Sequence, residues 1–139
     1  MKYAKKSLGQ NFLIDKNIIK KIINLVEIKN KNIIEIGPGK GALTGEILKK
    51  KPKSLTVIEK DTLLASELRI NYSNLKNTTV INADILKFNI EKIDNDQTVI
   101  FGNLPYNISS QILVKILKFK KWPPKFSNLI LMFQKELGN

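Results

Sequence analysis

The sequence contains neither cysteine nor histidine. Without cysteine, these 139 residues have no disulfide, no thiolate metal site and no thiol nucleophile. Without histidine, they have no Ser-His-Asp triad, no histidine general base and none of the usual zinc sites. Any catalysis must therefore use carboxylates, amides, hydroxyls, lysines or a bound cofactor, and we expect no metal at the site.

Long hydrophobic runs are missing as well. No apolar stretch approaches the ~20 residues that span a membrane, and the basic start at residues 1–6 is not followed by the apolar segment of a signal peptide. We therefore expect a cytoplasmic protein with no membrane partner. The length fits one ordinary domain, and the hydrophobic share of 42% is typical of a soluble one.

Arginine is nearly absent, since Arg69 is the only one, whereas lysine supplies 23 of the 24 basic residues. An AT-rich coding sequence favours lysine, so genome composition accounts for part of the net charge of +12. A charge of this size still attracts phosphate backbones without reading sequence. The charge favours a polyanionic partner over a merely solvated basic surface.

Apolar runs alternate with amphipathic stretches along the chain. The runs at 32–36, 54–58, 79–82, 98–102 and 128–133 predict five strands, the fourth of them stopped by Pro105. Helical spacing predicts helices over 15–29, 42–51 and 62–70, and a fourth that begins at Ser109 or Ser110. Residues 122–124, Trp-Pro-Pro, predict a rigid connector before the fifth strand. The alternation predicts one α/β doubly wound domain with a mostly parallel sheet covered on both faces.

Unusual polar or flexible residues follow four of these strands. They are Gly37-Pro38-Gly39-Lys40-Gly41 after the first strand, Glu59 after the second, Asp84 after the third and Asn103-Leu104-Pro105-Tyr106 after the fourth. Open α/β sheets bind ligands at the carboxyl ends of their strands. Each feature alone could be a tight turn, a helix cap or a solvated carboxylate, but four in register predict one ligand crevice.

The first three features are typical of a binding site for an adenosine-containing cofactor. Glycines permit close backbone approach at a helix N-terminus, and Glu59, 20 residues after Gly39, can accept both ribose hydroxyls. Asp84 can accept from the adenine amino group. Two hypotheses remain open at this point, S-adenosylmethionine and a nicotinamide dinucleotide, because Gly37, Gly39 and Ala42 also satisfy G-x-G-x-x-G/A.

The fourth feature favours amino-group methylation over hydride transfer. The Asn103 side-chain oxygen and the Leu104 carbonyl can each accept one hydrogen of an exocyclic amine, which orients the nitrogen and returns electron density to it. Pro105 fixes the turn, and Tyr106 offers a face on which a base can stack. A basic RNA-binding or ribosome-assembly module without catalysis remains a third hypothesis.

Four segments of the chain resemble the ribosomal RNA adenine N(6)-dimethyltransferase family. They are Lys6-Ser7-Leu8-Gly9-Gln10-Asn11-Phe12-Leu13, residues 35–44 (EIGPGKGALT), Asn82-Ala83-Asp84 and Asn103-Leu104-Pro105-Tyr106. The match looks nearest to the members that dimethylate two adjacent adenines near the end of small-subunit (16S) RNA. The resemblance implies a Rossmann-like fold, S-adenosylmethionine as cofactor, and ribosomal RNA in the immature small subunit as partner.

The resemblance also assigns residues. It implies that the cofactor is bound by Asn11, Leu13, Gly37, Gly39, Glu59, Asp84 and Asn103, and that Asn103, Leu104, Pro105 and Tyr106 form the catalytic motif. Members of the family are about twice as long, with two more strands and a small helical RNA-binding domain. We therefore expect residues 1–139 to be an incomplete catalytic domain that ends after the fifth strand. The full-length protein is expected to be a monomer, and this chain alone to aggregate and to act poorly on RNA.

Overall fold

A computed structural model describes residues 15–134 of the chain, and the side chains of residues 133 and 134 lie outside that description. Asn11 and Leu13 also lie outside the described residues. The elements in chain order are α1 (Lys16–Ile23), β1 (Asn32–Ile36), α2 (Ala42–Lys49), β2 (Ser54–Glu59), α3 (Thr62–Tyr72), β3 (Thr78–Asn82), a short 3-10 helix (Ile90–Ile93), β4 (Thr98–Pro105), α4 (Tyr106–Leu117) and β5 (Asn128–Gln134).

The five strands form one parallel sheet in the order β3-β2-β1-β4-β5. The order reverses direction between β1 and β4, which is the switch point where open α/β sheets bind ligands. The doubly wound parallel sheet and the position of β5 outside β4 are confirmed.

Each face of the sheet is covered by its own apolar cluster, which is why β1 and β4 read as nearly continuous apolar runs. On one face α1, α2 and α3 pack against alternate strand residues such as Ile33 and Phe101. On the other face α4 and the 3-10 helix pack against Ile34, Ile36 and Ile100. The period of two along the strands therefore divides the buried apolar side chains of β1, β2 and β4 between the two clusters.

Helix α1 is shorter than the sequence predicts. It ends at Ile23, with Asn24 as its C-cap, rather than near residue 29. Ile28 is 3% exposed in the core, and the Lys31 N–H donates to its carbonyl in a turn that leads into β1. Burial of Ile28 and the return to the sheet therefore outweigh the helical spacing that continues to Val26. Helix α2 ends at Lys49, two residues before the predicted end at residue 51. Lys51 cannot continue the helix because it adopts a left-handed conformation with φ 57°.

The junction of β4 and α4 also differs from the prediction. β4 continues beyond Gly102 to Pro105, and α4 begins at Tyr106 rather than after Ser109 or Ser110. Pairing with β5 extends the strand, because Asn103, Leu104 and Pro105 each have a partner there. Pro105 then turns the chain directly into the helix. Neither serine caps α4, since Ser109 is fully buried and the Ser110 hydroxyl donates to the Tyr106 carbonyl at 2.8 Å.

Candidate functional site

The carboxyl ends of the central strands lie side by side. Ile36, the last residue of β1, pairs with Ile58 on one side and Gly102 on the other. Glu59 at the end of β2 pairs with Asn82 at the end of β3. The segments that follow β1, β2 and β3, and the last residues of β4, therefore meet at one edge of the sheet, which we call the site edge.

The glycine-rich loop after β1 is held by the carboxylate of Glu59. The Gly39 N–H donates to Glu59 Oε1 at 3.1 Å, and the Asp61 N–H donates to Glu59 Oε2 at 2.8 Å. The Gly37 N–H also donates to the Ile58 carbonyl at 2.9 Å. The loop and the end of β2 thus form one hydrogen-bonded unit, and the sequence placed both at the same crevice.

Glu59 is 5% exposed, and its burial raises the pKa of its carboxyl group. The N–H groups of Asp61 and Gly39 oppose this shift because they stabilise the charged form. A carboxylate has about four lone-pair acceptor sites. The Gly39 and Asp61 N–H groups, with a smaller contribution from the Lys60 N–H, therefore leave Glu59 with spare acceptor capacity for hydroxyl donors.

Helix α2 begins at the site edge with a left-handed glycine. Gly41 has φ 95° and forms no side-chain cap, and Gly37 and Gly39 also have positive φ. Glycine adopts this conformation without the steric strain of a Cβ atom. The first N–H groups of α2 therefore have no side-chain cap and can receive a negatively charged or acceptor group.

The end of β4 contacts the glycine-rich loop directly. A Cβ atom built on Gly37 would lie 2.5 Å from Leu104 Cδ2 and 3.5 Å from the Asn103 carbonyl oxygen. Asn103 is half-buried, and within residues 15–134 its side-chain amide forms no hydrogen bond. Tyr106 is 65% exposed at the first position of α4. The motif therefore lies against the loop through Leu104 and the Asn103 backbone, and it places an exposed aromatic ring at the start of α4.

Asp84 lies in the turn after β3. The Leu86 N–H donates to its Oδ1 at 3.0 Å, while its Oδ2 lies 3.9 Å from the Lys60 Nζ. The Lys115 Nζ donates to the Leu86 carbonyl at 2.9 Å, which ties α4 to this turn. One carboxylate oxygen of Asp84 thus shapes the turn, and the other is left with only a distant ammonium group.

A buried acid beneath the loop was not predicted from the sequence. Glu35 of β1 is 2% exposed, and the Thr44 hydroxyl of α2 donates to its Oε1 at 2.5 Å. Burial raises the pKa of Glu35 to about 7, partly opposed by the Thr44 hydrogen bond. The signal was a single charge within the apolar run of β1, and the pair ties the loop to the sheet from below.

Asn82 is a second residue that sequence reasoning left without a role. Its Nδ2 donates to the carbonyls of Glu59 and Lys60, both at 3.0 Å, and its Oδ1 accepts from the Thr62 hydroxyl at 3.2 Å. These bonds fix the turn between β2 and α3, from which the Glu59 side chain extends. The available signal was its position directly before Ala83 and Asp84 in a motif shared with the family.

The structure brings together Gly37, Gly39, Glu59, Asp84, Asn103, Leu104, Pro105 and Tyr106 at the site edge. Among residues 15–134, no group of three or more acidic side chains is arranged to hold a metal ion. None of the helices in that range has the length and apolar character needed to span a membrane.

Comparisons with known proteins agree with this geometry. The family model described as "Ribosomal RNA adenine dimethylase" matches residues 1–139. "Ribosomal RNA small subunit methyltransferase A" of Pelagibacter ubique is 50% identical over 139 residues, which cover 98% of this chain and 51% of that protein.

Two solved structures share the fold with related sequences. A dimethyladenosine transferase from Plasmodium falciparum matches with a TM-score of 0.71 and 31% identity, over 90% of this chain and 44% of that one. The 23S rRNA methyltransferase ErmE matches with a TM-score of 0.67 and 28% identity, over 87% of this chain and 48% of that one. The dinucleotide oxidoreductase hypothesis is not favoured by these matches. The chain spans about half the length of the curated relatives it matches.

Proposed function

The chain belongs to the ribosomal RNA adenine dimethylase family, and from this premise we propose that it is the cofactor-binding part of an S-adenosylmethionine-dependent enzyme. The proposed reaction is dimethylation of the exocyclic amino group of two adjacent adenines in small-subunit (16S) ribosomal RNA, during ribosome biogenesis. On this proposal, residues 1–139 form the cofactor-binding part of the catalytic domain. Relatives named for the small subunit at 41–50% identity support that substrate over the large subunit.

The observation that carries the proposal is the contact between the Asn103–Tyr106 motif and the glycine-rich loop. Leu104 lies so close to Gly37 that a Cβ atom there would overlap it. A cofactor bound along the loop would thus lie next to the amide of Asn103. Hydride transfer has no particular use for an amide, a proline and an aromatic ring in this position, whereas amine methylation does.

The residues present fit S-adenosylmethionine, which supplies a methyl group on a positively charged sulfur. Glu59 retains acceptor capacity for the two ribose hydroxyls, and Asp84 retains one carboxylate oxygen for the adenine amino group. The first N–H groups of α2 can bind the carboxylate of the methionine moiety. Asn11 and Leu13, which the family resemblance assigns to the cofactor, complete the proposed set.

Asn103 and its neighbours act on the target adenine. The exocyclic amine is a poor nucleophile because its lone pair is delocalised into the ring. The Asn103 side-chain oxygen and the Leu104 carbonyl accept its two hydrogens and orient the nitrogen toward the methyl group. The exposed ring of Tyr106 stacks on the base, and Pro105 fixes the turn between them. The amine becomes acidic as the methyl group arrives, so no histidine base is required.

The proposed reaction also implies a partner and a cellular location for the protein. The substrate is the immature small ribosomal subunit, and we therefore assign the protein to the cytoplasm. The same proposal takes the full-length protein to act as a monomer.

Methyl transfer to immature small subunits tests the proposed function. The protein, extended to the length of its relatives where necessary, is incubated with methyl-labelled S-adenosylmethionine and undermethylated subunits. We expect dimethyladenine on digestion of the RNA, and none with Asn103→Ala. Absence of labelled adenine from every subunit preparation would refute the proposed reaction.

Calorimetry distinguishes the two cofactors. The chain is titrated with S-adenosylmethionine and separately with NAD. We expect heat of binding only with S-adenosylmethionine, and a weaker response in Glu59→Ala. Tight NAD binding without a response to S-adenosylmethionine would instead support the dinucleotide hypothesis.

A further inference from the structure

Six lysines lie in the loops that lead into β1, β2 and β3, at the end of the sheet opposite the site edge. These loops span residues 24–31, 50–53 and 73–77, and their one acidic residue is Glu27. Within the described residues none of the six lysines forms an ion pair. We call them the lysine rim: Lys29, Lys31, Lys50, Lys51, Lys53 and Lys76. The loops thus carry +5 of the net charge of +12.

The site edge, by contrast, has no excess charge in the described segments that follow β1, β2 and β3. The lysines there are balanced by an equal number of carboxylates: Lys40, Lys60 and Lys87 against Glu59, Asp61 and Asp84. Five strand residues separate the two ends of β1, which corresponds to about 16 Å. The excess positive charge of the three rim loops therefore lies at the end of the sheet away from the site edge.

The backbone beneath the rim is fixed by hydrogen bonds between the loops. The Asn30 N–H donates to the Lys51 carbonyl at 3.1 Å, and the Lys53 N–H donates to the Lys31 carbonyl at 2.8 Å. These bonds hold the loops before β1 and β2 together as a continuation of the sheet. The lysine Cα positions are therefore preorganised, and only side-chain freedom is lost when an anion binds.

The same loops form a concave surface. Asn24, Glu27, Lys29, Lys50 and Lys51 are among the residues that line a groove between the loop after α1 and the end of α2. The loop before β3 continues this surface, because the side-chain amide of its residue 77 donates to the carbonyl of residue 52 at 3.2 Å. Three of the six rim lysines, Lys29, Lys50 and Lys51, thus line one groove, and the other three lie on the loops that adjoin it.

Lys51 occupies a backbone conformation that is unfavourable for lysine. Its φ is 57°, in the left-handed region that glycine and asparagine occupy with less strain after a helix. The turn is held by backbone hydrogen bonds, since the Lys51 N–H donates to the Leu48 carbonyl at 3.1 Å and the Lys51 carbonyl accepts from the Asn30 N–H. The position therefore tolerates glycine, which allows the lysine side chain to be removed without disturbing the turn.

From this distribution of charge, we propose that the lysine rim binds the phosphate backbone of double-helical RNA, as a second contact away from the site edge. The rim loops contain no arginine and no aromatic residue, so they lack the groups that read bases or stack on them. Lysine ammonium groups bind phosphates as point charges and release counterions. The rim therefore adds affinity that is independent of base sequence.

The partner assignment rests on the proposed function, which makes RNA the substrate. The test measures binding of a 20-base-pair RNA duplex that lacks the target adenines, over a range of salt concentrations, with Lys29, Lys51 and Lys53 changed to Gln. We expect the slope of log affinity against log salt to fall by two to three, and affinity in 0.1 M salt to fall by roughly 100-fold. The matched control changes Lys16, Lys20 and Lys21 on the exposed face of α1, which removes the same charge.

Two outcomes are decisive for the rim. The proposal is supported if the slope of log affinity against log salt falls by less than one in the α1 control. Equal losses of duplex affinity in the rim variant and in the α1 control would overturn the proposal, since binding would then depend on net charge alone. Methyl transfer is measured on the same proteins, and we expect the rim variant to raise KM and leave kcat within twofold. Failure of wild-type methyl transfer would refute the proposed function while the duplex measurement still decides the rim.

Lys51→Gly tests the contribution of Lys51 to duplex binding without destabilising the fold. Glycine relieves the left-handed strain, so we expect the melting temperature to rise or stay unchanged while duplex affinity falls by about fivefold to tenfold. Unchanged affinity with an unchanged melting temperature would remove Lys51 from the rim and contradict the proposal.

Discussion

Glu59 and Asn103 have different chemical environments, although both are assigned to the cofactor. The Glu59 carboxylate is buried and bonded to the loop at Gly39, so it can act on groups that are bound before any reaction. The Asn103 side-chain amide forms no hydrogen bond within residues 15–134, and in the proposed reaction it accepts from the amine that is methylated. Interactions that strengthen only in the transition state raise kcat.

We therefore expect distinct kinetic signatures from the two residues. Asn103→Ala should lower kcat at least 100-fold, with a smaller loss of cofactor affinity, because the amide acts mainly on the amine in the transition state. Glu59→Ala should mainly weaken cofactor binding. Steady-state kinetics and calorimetry on both variants separate the two effects, and the same signature from both would show that the roles are wrongly assigned.

Glu35 links the stability of the fold to pH. Its carboxyl group has a pKa of about 7 in the folded chain, above the ordinary value of 4.5, because burial disfavours the charge. The folded state then binds the proton more tightly than the unfolded state does. The free energy of unfolding must therefore fall as pH rises from about 4.5 to 7. The raised pKa of Glu59 has the same sign.

Glu35→Gln should remove most of this pH dependence. Glutamine can still accept the Thr44 hydroxyl through its side-chain oxygen, but it has no charge to bury. We expect a melting temperature above that of the wild type at pH 8, from a gain of at most about 3 kcal/mol, and little difference at pH 5. Thermal melts across this range check the prediction, with Glu67→Gln at an exposed position as control. A Glu35→Gln variant that follows the wild-type curve at every pH would contradict the assignment.

At the scale of elements, the contact between the glycine-rich loop and β4 determines the shape of the site. Gly37 combines φ 71° with a Cβ position only 2.5 Å from Leu104 Cδ2. A side chain at this position would strain the loop and displace the residue next to Asn103. The loop and the strand end therefore depend on each other, which neither segment shows alone.

Gly37→Ala is therefore expected to destabilise the fold and weaken cofactor binding together. The left-handed conformation alone costs an alanine about 1–2 kcal/mol, and the overlap with Leu104 adds to it. Gly45→Ala in α2 is the matched control, because its nearest neighbour is Tyr72 Oη at 4.0 Å and alanine gains about 0.5–1 kcal/mol in a helix. Urea unfolding of both variants measures the difference. Equal free energies of unfolding would show that the loop accommodates a Cβ atom at residue 37 without strain.

At the scale of the whole molecule, β5 is the exposed edge of the sheet among the described strands. It pairs with β4 and with no other described strand, and its sequence is largely apolar. Long apolar edges invite pairing with further chains. The other outer strand, β3, is shorter and alternates in exposure, and the Arg69 guanidinium donates to its Val80 carbonyl at 3.2 Å.

A polypeptide of residues 1–139 by itself should thus self-associate through β5. We expect the sedimentation coefficient to rise with protein concentration, and Asn128→Lys, at the exposed start of the strand, to reduce that rise without lowering the melting temperature. A sharply melting monomer at every concentration would contradict this expectation.

Residue patterns alone predicted the strand cores, the parallel topology and the residues at the strand ends. Apolar runs bounded by glycine or proline are local signals, and they predicted the end of β1 and the end of α2 to within two residues. The motif Asn103–Tyr106 separated methyl transfer from hydride transfer because its chemistry depends on residue type more than on packing. Family membership followed from the same motifs.

The hydrogen-bond partners of the polar groups, in contrast, depend on how the elements pack together. The Gly39 N–H donates to the Glu59 carboxylate, 20 residues away in sequence, and the Thr44 hydroxyl donates to Glu35, nine residues away. No local sequence pattern predicts these hydrogen bonds. The early end of α1 also depends on the non-local burial of Ile28. Net charge could be counted from the sequence, but its separation into a balanced site edge and a basic rim could not. It arises because the starts of β1, β2 and β3 lie at one end of the parallel sheet and their last residues at the other, which places the six rim lysines away from the site edge.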